Sequence, residues 1–407
     1  MNSTDSLGSN RLKGTDLDAR LPNKRDADPG VSWHAEPLTE LAPNPGRSCG
    51  GEKPGETAGL LETAAQPVPE TAVGQAQGYP KPATTWRALY GFLLVSLAFA
   101  AYVGGVGLAP LRWLFLNPLP FREFNVALIW YSGIPLVAGS LLIGWELCTK
   151  VTRVRQAKAV RNDSPPNKFL TVALTAYNDE RSIGGAVSDF LAHPLVRRVL
   201  VISNNSTDRT AEEAERAGAV VFNEPRQGYG ACVHRALREA LKFSDTELTV
   251  LCEGDLTFRA FDIDKLLAYI PHADVVNGSR IVEQLQNRDT QLSLYMHYGN
   301  LFAGKVLELK HLGTVSLTDV GTTYKLCRNA ALRELLVRLD PRINLEFNAY
   351  FLDTALTHGV RILECPISFH PRVGASKGGN VNNRIATRLG LRMLWGIFVN
   401  WKGFGRG

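Results

Sequence analysis

The stretch LTVLCEGDLTF, residues 248–258, places two carboxylates one residue apart at the end of an apolar run. Residues 248–252 have the composition of a buried strand. Glu253 and Asp255 then share one face of that strand, because strand side chains alternate with a period of two. Two surface carboxylates are the simplest interpretation. The apolar residues before them favour instead a ligand-binding strand end, where oxygen ligands would suit Mg²⁺ or Mn²⁺.

Similar apolar runs recur along residues 167–380 and alternate with helical windows. The predicted strands are 169–176, 198–203, 219–222, 248–252 and 273–277. The predicted helices are 181–191, 210–217, 231–243 and 262–269. Strands that alternate with helices predict an α/β domain with a mostly parallel sheet, whose ligands bind at the carboxyl ends of the strands.

Polar loops follow the first three predicted strands and supply candidate substrate-binding residues. Their sequences are TAYNDERSIG (175–184), SNNSTDRT (203–210) and NEPRQGYGACVHRAL (223–237). Each has a simpler interpretation as a turn or a helix cap. In the third loop, Gly228 and Gly230 allow a ligand to approach the backbone closely, and Arg226 adds a cation beside them.

Two apolar segments precede the α/β domain. Residues 88–111 contain no charge over 24 positions, and residues 125–145 contain none over 21. Each can cross about 30 Å of hydrocarbon at about 1.5 Å per residue, which predicts a transmembrane hairpin over residues 85–149. A buried helix of a soluble domain is the alternative for either segment. Pro135 is expected to kink the second helix, and Pro110 to help end the first.

Basic residues after the second segment predict the orientation of the hairpin. They are Lys150, Arg153, Arg155, Lys158 and Arg161, and the first acid after them is Asp163. The positive-inside rule places this linker (150–166) and the following domain in the cytosol. We expect an integral membrane protein, located in a bacterial plasma membrane or in the endoplasmic reticulum. Residues 1–84 are polar and are predicted to be a disordered tail.

Composition limits the class of partner. The net charge of +6 and the pI of about 9.0 favour an anionic partner. No basic face interleaved with aromatic residues occurs in the α/β region, so a nucleic-acid partner is not expected. Six scattered cysteines without a CxxC pair favour free thiols over disulfides or a zinc site.

Residues 381–407 predict an amphipathic helix at the membrane interface. Arg384, Arg388 and Arg392 recur every four residues and therefore share one helical face. Apolar residues fill much of the remaining surface, as in helices that lie in the plane of a bilayer surface. A helix packed on the catalytic domain is the alternative.

The order of these motifs resembles the family 2 glycosyltransferases of the GT-A fold. The first motifs in family order are TAYNDE, SNNSTDRT, RQGYGA, EGDLTF and VVNGSR, and they are followed by LTDVGTTYKLCRNAAL, LEFNAYFLDTALTHGVRILECPISFHPR and VGASKGG. The polyprenyl- and dolichol-phosphate sugar transferases are the nearest branch. The likeness covers about residues 168–379. The Gln-x-x-Arg-Trp motif of processive polysaccharide synthases does not occur in the sequence, which favours transfer of a single sugar.

The resemblance implies roles for individual residues. Glu253 and Asp255 match an Asp-x-Asp metal motif and imply Mg²⁺ or Mn²⁺, with Asp255 also counted as catalytic. Asp319 and Glu346 match carboxylates near the acceptor, and Asp319 is the first candidate for a general base. The implied substrate-binding residues are Ala176, Tyr177, Asn178, Glu180, Ser203, Asn204, Arg226, Gly228, Gly254, Arg280, Arg372 and Lys377.

The implied reaction moves one sugar, with inversion, from a UDP- or GDP-linked sugar to a polyprenyl (dolichyl or undecaprenyl) phosphate. One alternative is an enzyme of the same fold with a soluble or hydroxyl acceptor. The other is an inactive nucleotide-binding membrane scaffold. Ser203 and Asn204 stand where the family usually has two acids, and Glu253 stands where it has Asp, which motivates that second alternative.

Overall fold

The computed structural model describes residues 85–114, 119–151, 160–287, 290, 293–312, 314–374 and 383–399. The predicted N-terminal tail and Lys377 lie outside these ranges. The described residues form a pair of apolar helical segments, an α/β domain and a C-terminal helix, all within one compact unit.

The two N-terminal apolar segments are helical and pack against each other as a hairpin. Helix α1 (Trp86–Leu114) packs against α2 (Leu119–Tyr131) and α3 (Gly133–Glu146), and α3 continues into a π-helical turn (Leu147–Val151). Close approach of α1 and α3 requires glycine: a Cβ on Gly91 would lie 2.6 Å from the Gly139 carbonyl oxygen. Small residues of this kind allow apolar helices to pack tightly in a bilayer.

The prolines act differently from one another. The second apolar segment breaks at Ser132, as Pro135 predicts, because proline has no N–H to donate to the carbonyl four residues earlier. The expectation that Pro110 helps end α1 is wrong: the helix runs on to Leu114, because one missing hydrogen bond near a helix end is tolerated. By length and composition Trp86–Leu111 and Leu119–Lys150 are candidate membrane spans, each with 11% of its most apolar window buried in the protein.

Seven strands form one sheet in the order β3-β2-β1-β4-β6-β5-β7. The strands are β1 (Leu170–Ala176), β2 (Val196–Ser203), β3 (Val220–Asn223), β4 (Leu248–Glu253), β5 (Val275–Ser279), β6 (Lys325–Arg328) and β7 (Ile362–Pro366). Within the described part of the sheet, β6 alone runs antiparallel to its neighbours. The five predicted strands and the mostly parallel GT-A sheet are confirmed, whereas β6 and β7 have no counterpart in the sequence-based prediction.

Helices cover both faces of the sheet. They are α4 (Ile183–Leu191), α5 (Thr210–Arg216), α6 (Tyr229–Ala240), α7 (Ile263–Tyr269), α8 (Leu294–Lys310), α9 (Asn329–Leu336), α10 (Phe347–Thr357) and α11 (Asn383–Val399). Alternate residues of β1 enter opposite cores: Val172 packs with α4 and α7, and Ala173 packs with α6, α8 and α10. Because both faces are covered, the strand ends are the part of the sheet open to a ligand.

Candidate active site

Strands β1 and β4 end side by side, with Thr175 paired to Glu253 in parallel register. The loops after both strands therefore open at the same edge of the sheet. Gly254, which was expected to bind substrate, donates its N–H to the Thr175 carbonyl at 3.0 Å. A Cβ on Gly254 would lie 2.4 Å from Ile183 Cδ1, so the structure gives this glycine a packing role against α4.

The Asp255 carboxylate is buried, with 1% of the residue exposed. Its Oδ1 accepts hydrogen bonds from the Thr257 N–H at 3.1 Å and the Thr257 hydroxyl at 2.5 Å. Its Oδ2 has no hydrogen-bond partner among the described residues, and Arg372 Nε lies 3.4 Å away without hydrogen-bond geometry. A buried carboxylate oxygen left in this state is costly unless a cation compensates it.

Glu253 lies next to Asp255, which affects its pKa. Burial raises the pKa of Glu253 to about 7, and the negative charge of Asp255 contributes to the increase. The hydroxyl of Thr323 and the positive charge of Arg372 oppose this increase and lower the pKa. The Thr323 hydroxyl donates to Glu253 Oε1 at 2.6 Å. Two carboxyl groups in contact in a buried site are a favourable arrangement for a cation.

The acidic pair fits a divalent cation that is shared with a diphosphate. Mg²⁺ in nucleotide sites commonly takes one or two carboxylates and completes its shell with phosphate oxygens and water. Glu253 and Asp255 supply two carboxylates, one of which has an unpaired buried oxygen. Within the described ranges, no group of three or more Asp, Glu, His or Cys side chains forms a complete metal cage. The residues present thus match a metal that needs substrate oxygens as ligands.

Arg372 lies among three carboxylates. Its Nη2 is 3.4 Å from Asp179 Oδ1, and its Nε is 3.4 Å from Asp255 Oδ2. Burial alone would lower the pKa of Arg372, but the charges of Asp255, Glu253 and Asp179 outweigh it and raise the pKa. Asp179, which the sequence placed in TAYNDE without a role, also accepts the Tyr177 N–H at 2.9 Å.

The loops after β1 and β2 are tied to each other. Asn178, at φ +50°, accepts the Thr207 N–H on Oδ1 at 2.8 Å. Glu180 Oε2 accepts the Arg209 N–H at 3.2 Å. These bonds bring five predicted substrate-binding residues to one end of the sheet: Ala176, Tyr177, Asn178, Glu180 and Ser203.

Asn204 holds the third predicted loop. Its Nδ2 donates to the carbonyls of Glu224 at 3.2 Å and Arg226 at 2.7 Å, and its Oδ1 accepts the Gly228 N–H at 2.9 Å. An ionised Asp has no donor for those carbonyls, which is a physical reason for Asn at a position that is usually acidic in the family. The Arg226 side chain is exposed. Gly228 has a φ of +140°, a conformation that favours glycine.

Three polar residues that the sequence reasoning missed connect Glu253 to α6 and α10. The Tyr229 hydroxyl lies 2.6 Å from Thr323 Oγ1 and 3.2 Å from Asn348 Oδ1. Asn348 Nδ2 donates to the Gly321 carbonyl at 3.0 Å. Burial raises the pKa of Tyr229, so this hydroxyl stays protonated and available as a donor. Tyr229 and Thr323 belong to the quoted motifs RQGYGA and LTDVGTT, which were the available signals.

Asp319, the first candidate for a general base, is fully buried in an ion pair with Arg280. Its Oδ2 accepts from Arg280 Nε at 2.7 Å and from the Arg280 N–H at 3.1 Å. Its Oδ1 accepts from Arg280 Nη2 at 2.9 Å and from the Gly321 N–H at 3.0 Å. Burial alone would raise the pKa of Asp319, but Arg280 outweighs it and the pKa is lowered. A carboxylate with a lowered pKa is a weak base, so the structure places Asp319 as an anchor for Arg280.

Glu346, the second candidate, lies at the start of α10. It lines a cavity of about 290 Å³ between α10 and α11, together with Arg392 and Trp395. No hydrogen bond or ion pair joins it to Asp255 or Asp319 in the described part of the chain, where its Oε2 is buried without a partner. The structure therefore brings Glu253, Asp255 and Arg372 together and keeps Glu346 outside that group.

Fold and site together define a GT-A glycosyltransferase domain. A model of the family described as Glycosyl transferase family 2 matches residues 171–336. An uncharacterized glycosyltransferase of Mycobacterium tuberculosis is 31% identical over 206 residues, which cover 50% of this chain and 87% of that protein. A dolichyl-phosphate hexose transferase of Haloferax volcanii is 29% identical over 209 residues, with 51% and 86% covered. The chain belongs to the family 2 glycosyltransferases.

A solved structure also resembles the domain. It is glucosyl-3-phosphoglycerate synthase from Mycobacterium tuberculosis in complex with Mn²⁺, uridine diphosphate and glucosyl-3-phosphoglycerate. The TM-score is 0.43 at 16% identity, with 62% of this chain and 84% of that chain covered.

Proposed function

We propose that this glycosyltransferase moves one sugar from a nucleotide-diphosphate sugar to a polyprenyl phosphate at the cytosolic face of a membrane. The observation that carries the proposal is the buried Asp255 Oδ2, which lacks a hydrogen-bond partner in the described structure while it faces Glu253 and Arg372. This arrangement is matched by a divalent cation and the diphosphate of a donor.

On the donor side, Glu253 and Asp255 would hold Mg²⁺ or Mn²⁺. The bound ion would neutralise charge that develops on the leaving diphosphate. Arg372 adds a fixed positive charge beside the acidic pair, and its raised pKa keeps it ionised. The loops that contain Tyr177, Asn178 and Ser203 border this edge of the sheet and would receive the nucleoside, UDP- or GDP-linked.

On the acceptor side, a phosphate oxygen would form a bond with the anomeric carbon of the sugar. The bond from that carbon to the donor diphosphate breaks, the nucleoside diphosphate leaves with the electron pair, and the configuration inverts. A phosphate monoester has a second pKa of about 6 and is ionised at neutral pH. It therefore needs no general base. This agrees with Asp319, whose pKa is lowered by Arg280.

The membrane setting is supported by the helices next to the domain. The two candidate spans carry no charge along residues 88–111 and 125–145. At the base of α1, the Thr85 hydroxyl donates to the Lys310 carbonyl of α8 at 2.8 Å, which ties the hairpin to the catalytic domain. The similarity to a dolichyl-phosphate hexose transferase favours a lipid phosphate as the acceptor.

The test is a transfer panel with radiolabelled GDP-mannose, UDP-glucose and related donors, with polyprenyl phosphate as acceptor. We expect one donor to deliver label that extracts into organic solvent, only when Mg²⁺ or Mn²⁺ is present. Asp255→Ala should abolish that transfer. Label that moves only to a soluble hydroxyl acceptor would overturn the lipid acceptor in favour of the first alternative. Donor binding without turnover on any acceptor would favour the inactive scaffold.

A further inference from the structure

Helix α8 exposes a row of large apolar side chains outside the two candidate spans. Leu294, Tyr295, Tyr298 and Phe302 are 70%, 50%, 60% and 50% exposed. Their spacing places them on one face of the helix. The second half of α8 packs into the core of the domain through Ala303, Val306 and Leu307. A single exposed apolar residue needs no explanation, but a row of four on one helix indicates a binding surface.

Helix α11 extends this row. It lies beside α8, and the Tyr295 hydroxyl is hydrogen-bonded to Thr387 Oγ1 at 2.8 Å. Leu391, Trp395 and Val399 are exposed at four-residue intervals, so they share one face of α11. The exposed apolar residues thus lie on two adjacent helices beside the catalytic domain.

The same face of α11 is basic. Arg388 and Arg392 are exposed, and helical spacing places them among Leu391 and Trp395. Arginine side chains can lie along an apolar surface and keep the guanidinium at the level of lipid headgroups. Tyr and Trp favour the same depth of a bilayer. The chemistry of this face therefore matches a membrane surface that contains anionic phospholipids.

The surface is continuous with the predicted membrane anchor. The Phe398 ring of α11 packs on Phe92 of α1, with 5.6 Å between ring centroids. Lys310, at the end of α8, donates through Nζ to the Ile397 carbonyl at 3.2 Å and pairs with Asp353 of α10 at 2.7 Å. These contacts fix α8 and α11 to the base of the first candidate span, where the bilayer surface would begin.

We propose that α8 and α11 form a second membrane-binding surface, the α8–α11 platform, which lies on anionic phospholipid headgroups. It consists of the exposed residues Tyr295, Tyr298, Phe302, Leu391 and Trp395 with Arg388 and Arg392. The inference rests on the proposed function for the presence of a bilayer. It adds α8 to the membrane-contacting elements that the sequence predicted, which were the hairpin and the C-terminal helix.

The platform also sets the position of the acceptor loop. On the inner side of α8, Glu308 Oε1 accepts the Leu317 N–H at 2.6 Å. A Cβ on Gly304 would lie 2.8 Å from the Leu317 carbonyl oxygen, so loop and helix are in direct contact. The segment 317–321, which contains Asp319, is therefore held directly against α8.

The experiment uses the whole chain in nanodiscs of phosphatidylcholine alone or mixed with phosphatidylglycerol. In a background with Cys49 and Cys148 changed to Ser, an environment-sensitive fluorophore is attached through Tyr298→Cys. The matched control is Val337→Cys, at an 81% exposed position after α9. We expect headgroup-depth spin-labelled lipid to quench the probe at 298, more strongly with phosphatidylglycerol, and to leave the probe at 337 unchanged.

Equal, weak quenching at both positions would overturn the platform. A blue shift of the probe at position 298 without lipid quenching, seen only when two copies share a disc, would overturn the platform. It would mean that a second copy of this chain, and not the membrane, covers the surface. A second variant, Tyr298→Glu with Phe302→Glu, tests the consequence: transfer to membrane-embedded polyprenyl phosphate should fall about tenfold while thermal stability and transfer to a short-chain prenyl phosphate persist. Quenching at 298 in a protein that never uses a lipid phosphate would keep the platform and overturn the proposed function.

Discussion

Asp255 and Asp319 are both buried beside an arginine, yet their surroundings are opposite. Asp319 receives four hydrogen bonds, two from the Arg280 guanidinium and two from backbone N–H groups. Asp255 faces Arg372 at 3.4 Å, and its Oδ2 has no hydrogen-bond partner among the described residues. The Asp319 carboxylate is fully hydrogen-bonded by protein groups, whereas Asp255 Oδ2 can still accept a ligand.

The difference separates structural charge from ligand-binding charge. A buried ion pair that satisfies every lone pair is complete without a ligand, so its loss is felt in stability. A buried carboxylate with an oxygen that accepts no hydrogen bond is stabilised only when a cation binds. Its substitution should therefore reduce ligand binding and turnover. The region around Asp319 is thus complete without a ligand, whereas the region around Asp255 would hold the donor.

The largest expected effect is that of Asp255→Asn on turnover. The substitution keeps the side-chain volume and removes the charge that would hold the cation. We expect sugar transfer to fall by at least about 10³-fold, which corresponds to about 4 kcal/mol. The free energy of unfolding should change by no more than about 1 kcal/mol, because Asp255 Oδ2 makes no hydrogen bond and Arg372 keeps Asp179 and Glu253 as neighbouring charges. Labelled-donor assays and thermal unfolding measure the two quantities. A variant that unfolds instead would mean that Asp255 is structural.

Asp319→Ala should show the reverse pattern, with the larger effect on stability. It leaves the buried Arg280 without its partner, and we expect a loss of about 3–4 kcal/mol in the free energy of unfolding. The double change Arg280→Met with Asp319→Leu should recover much of that stability, since neither charge remains buried alone. Denaturant unfolding of the single and double variants gives the coupling. Equal stabilities would contradict the assignment of Asp319 as an anchor.

The lowered pKa of Asp319 also gives a pH signature. A carboxyl group whose pKa is lowered on folding stabilises the protein above its unfolded pKa of about 4, and that stability is lost as the pH falls through the folded value. The double variant should therefore lose less stability on acidification than the wild-type chain. Parallel acid profiles would indicate that the ion pair does not persist in solution.

Metal addition should distinguish the two carboxylates without an activity assay. A ligand at 100 times its Kd raises the free energy of unfolding by about 2.7 kcal/mol. With a nucleoside diphosphate present, Mn²⁺ should raise the Tm of the wild-type chain and of the Arg280→Met, Asp319→Leu variant. Asp255→Asn should show little or no increase. A shift of the same size in Asp255→Asn would place the cation elsewhere.

The smallest expected effect concerns Thr323, which orients Glu253. Thr323→Val removes the hydroxyl that donates to Glu253 Oε1 at 2.6 Å, at a cost of about 1 kcal/mol, or roughly fivefold in transfer. Thr323→Ser retains the donor and should restore activity. If Val and Ser behave alike, the methyl packing of this residue matters and its hydrogen bond does not.

The position of Glu253 and Asp255 at a buried strand end was predictable because its signals are local. Apolar runs such as LTVLC are continuous in the chain, and the carboxylates of β4 follow the run directly. The ion pair of Arg280 and Asp319 was not predictable in this way, because the two residues are 39 positions apart. Strand β6, KLCR, escaped prediction because it is short and contains the buried Lys325. That lysine is retained inside the sheet although burial lowers its pKa to about 8.

The C-terminal helix shows the same limit from another direction. The spacing of its arginines predicted one shared face, and the structure places Arg388 and Arg392 on the exposed side together with Trp395. The contribution of α8 was not predictable, because its row of Tyr295, Tyr298 and Phe302 looks like a core stripe until packing shows which side is buried.

Whether Asp255 holds a divalent cation is tested by a titration of Mn²⁺ into the purified chain with UDP or GDP, with the free ion followed by electron paramagnetic resonance. We expect one bound ion per chain in the wild type, no comparable binding by Asp255→Asn, and unchanged binding by Arg280→Met with Asp319→Leu. Equal Mn²⁺ binding by the wild type and Asp255→Asn would contradict it.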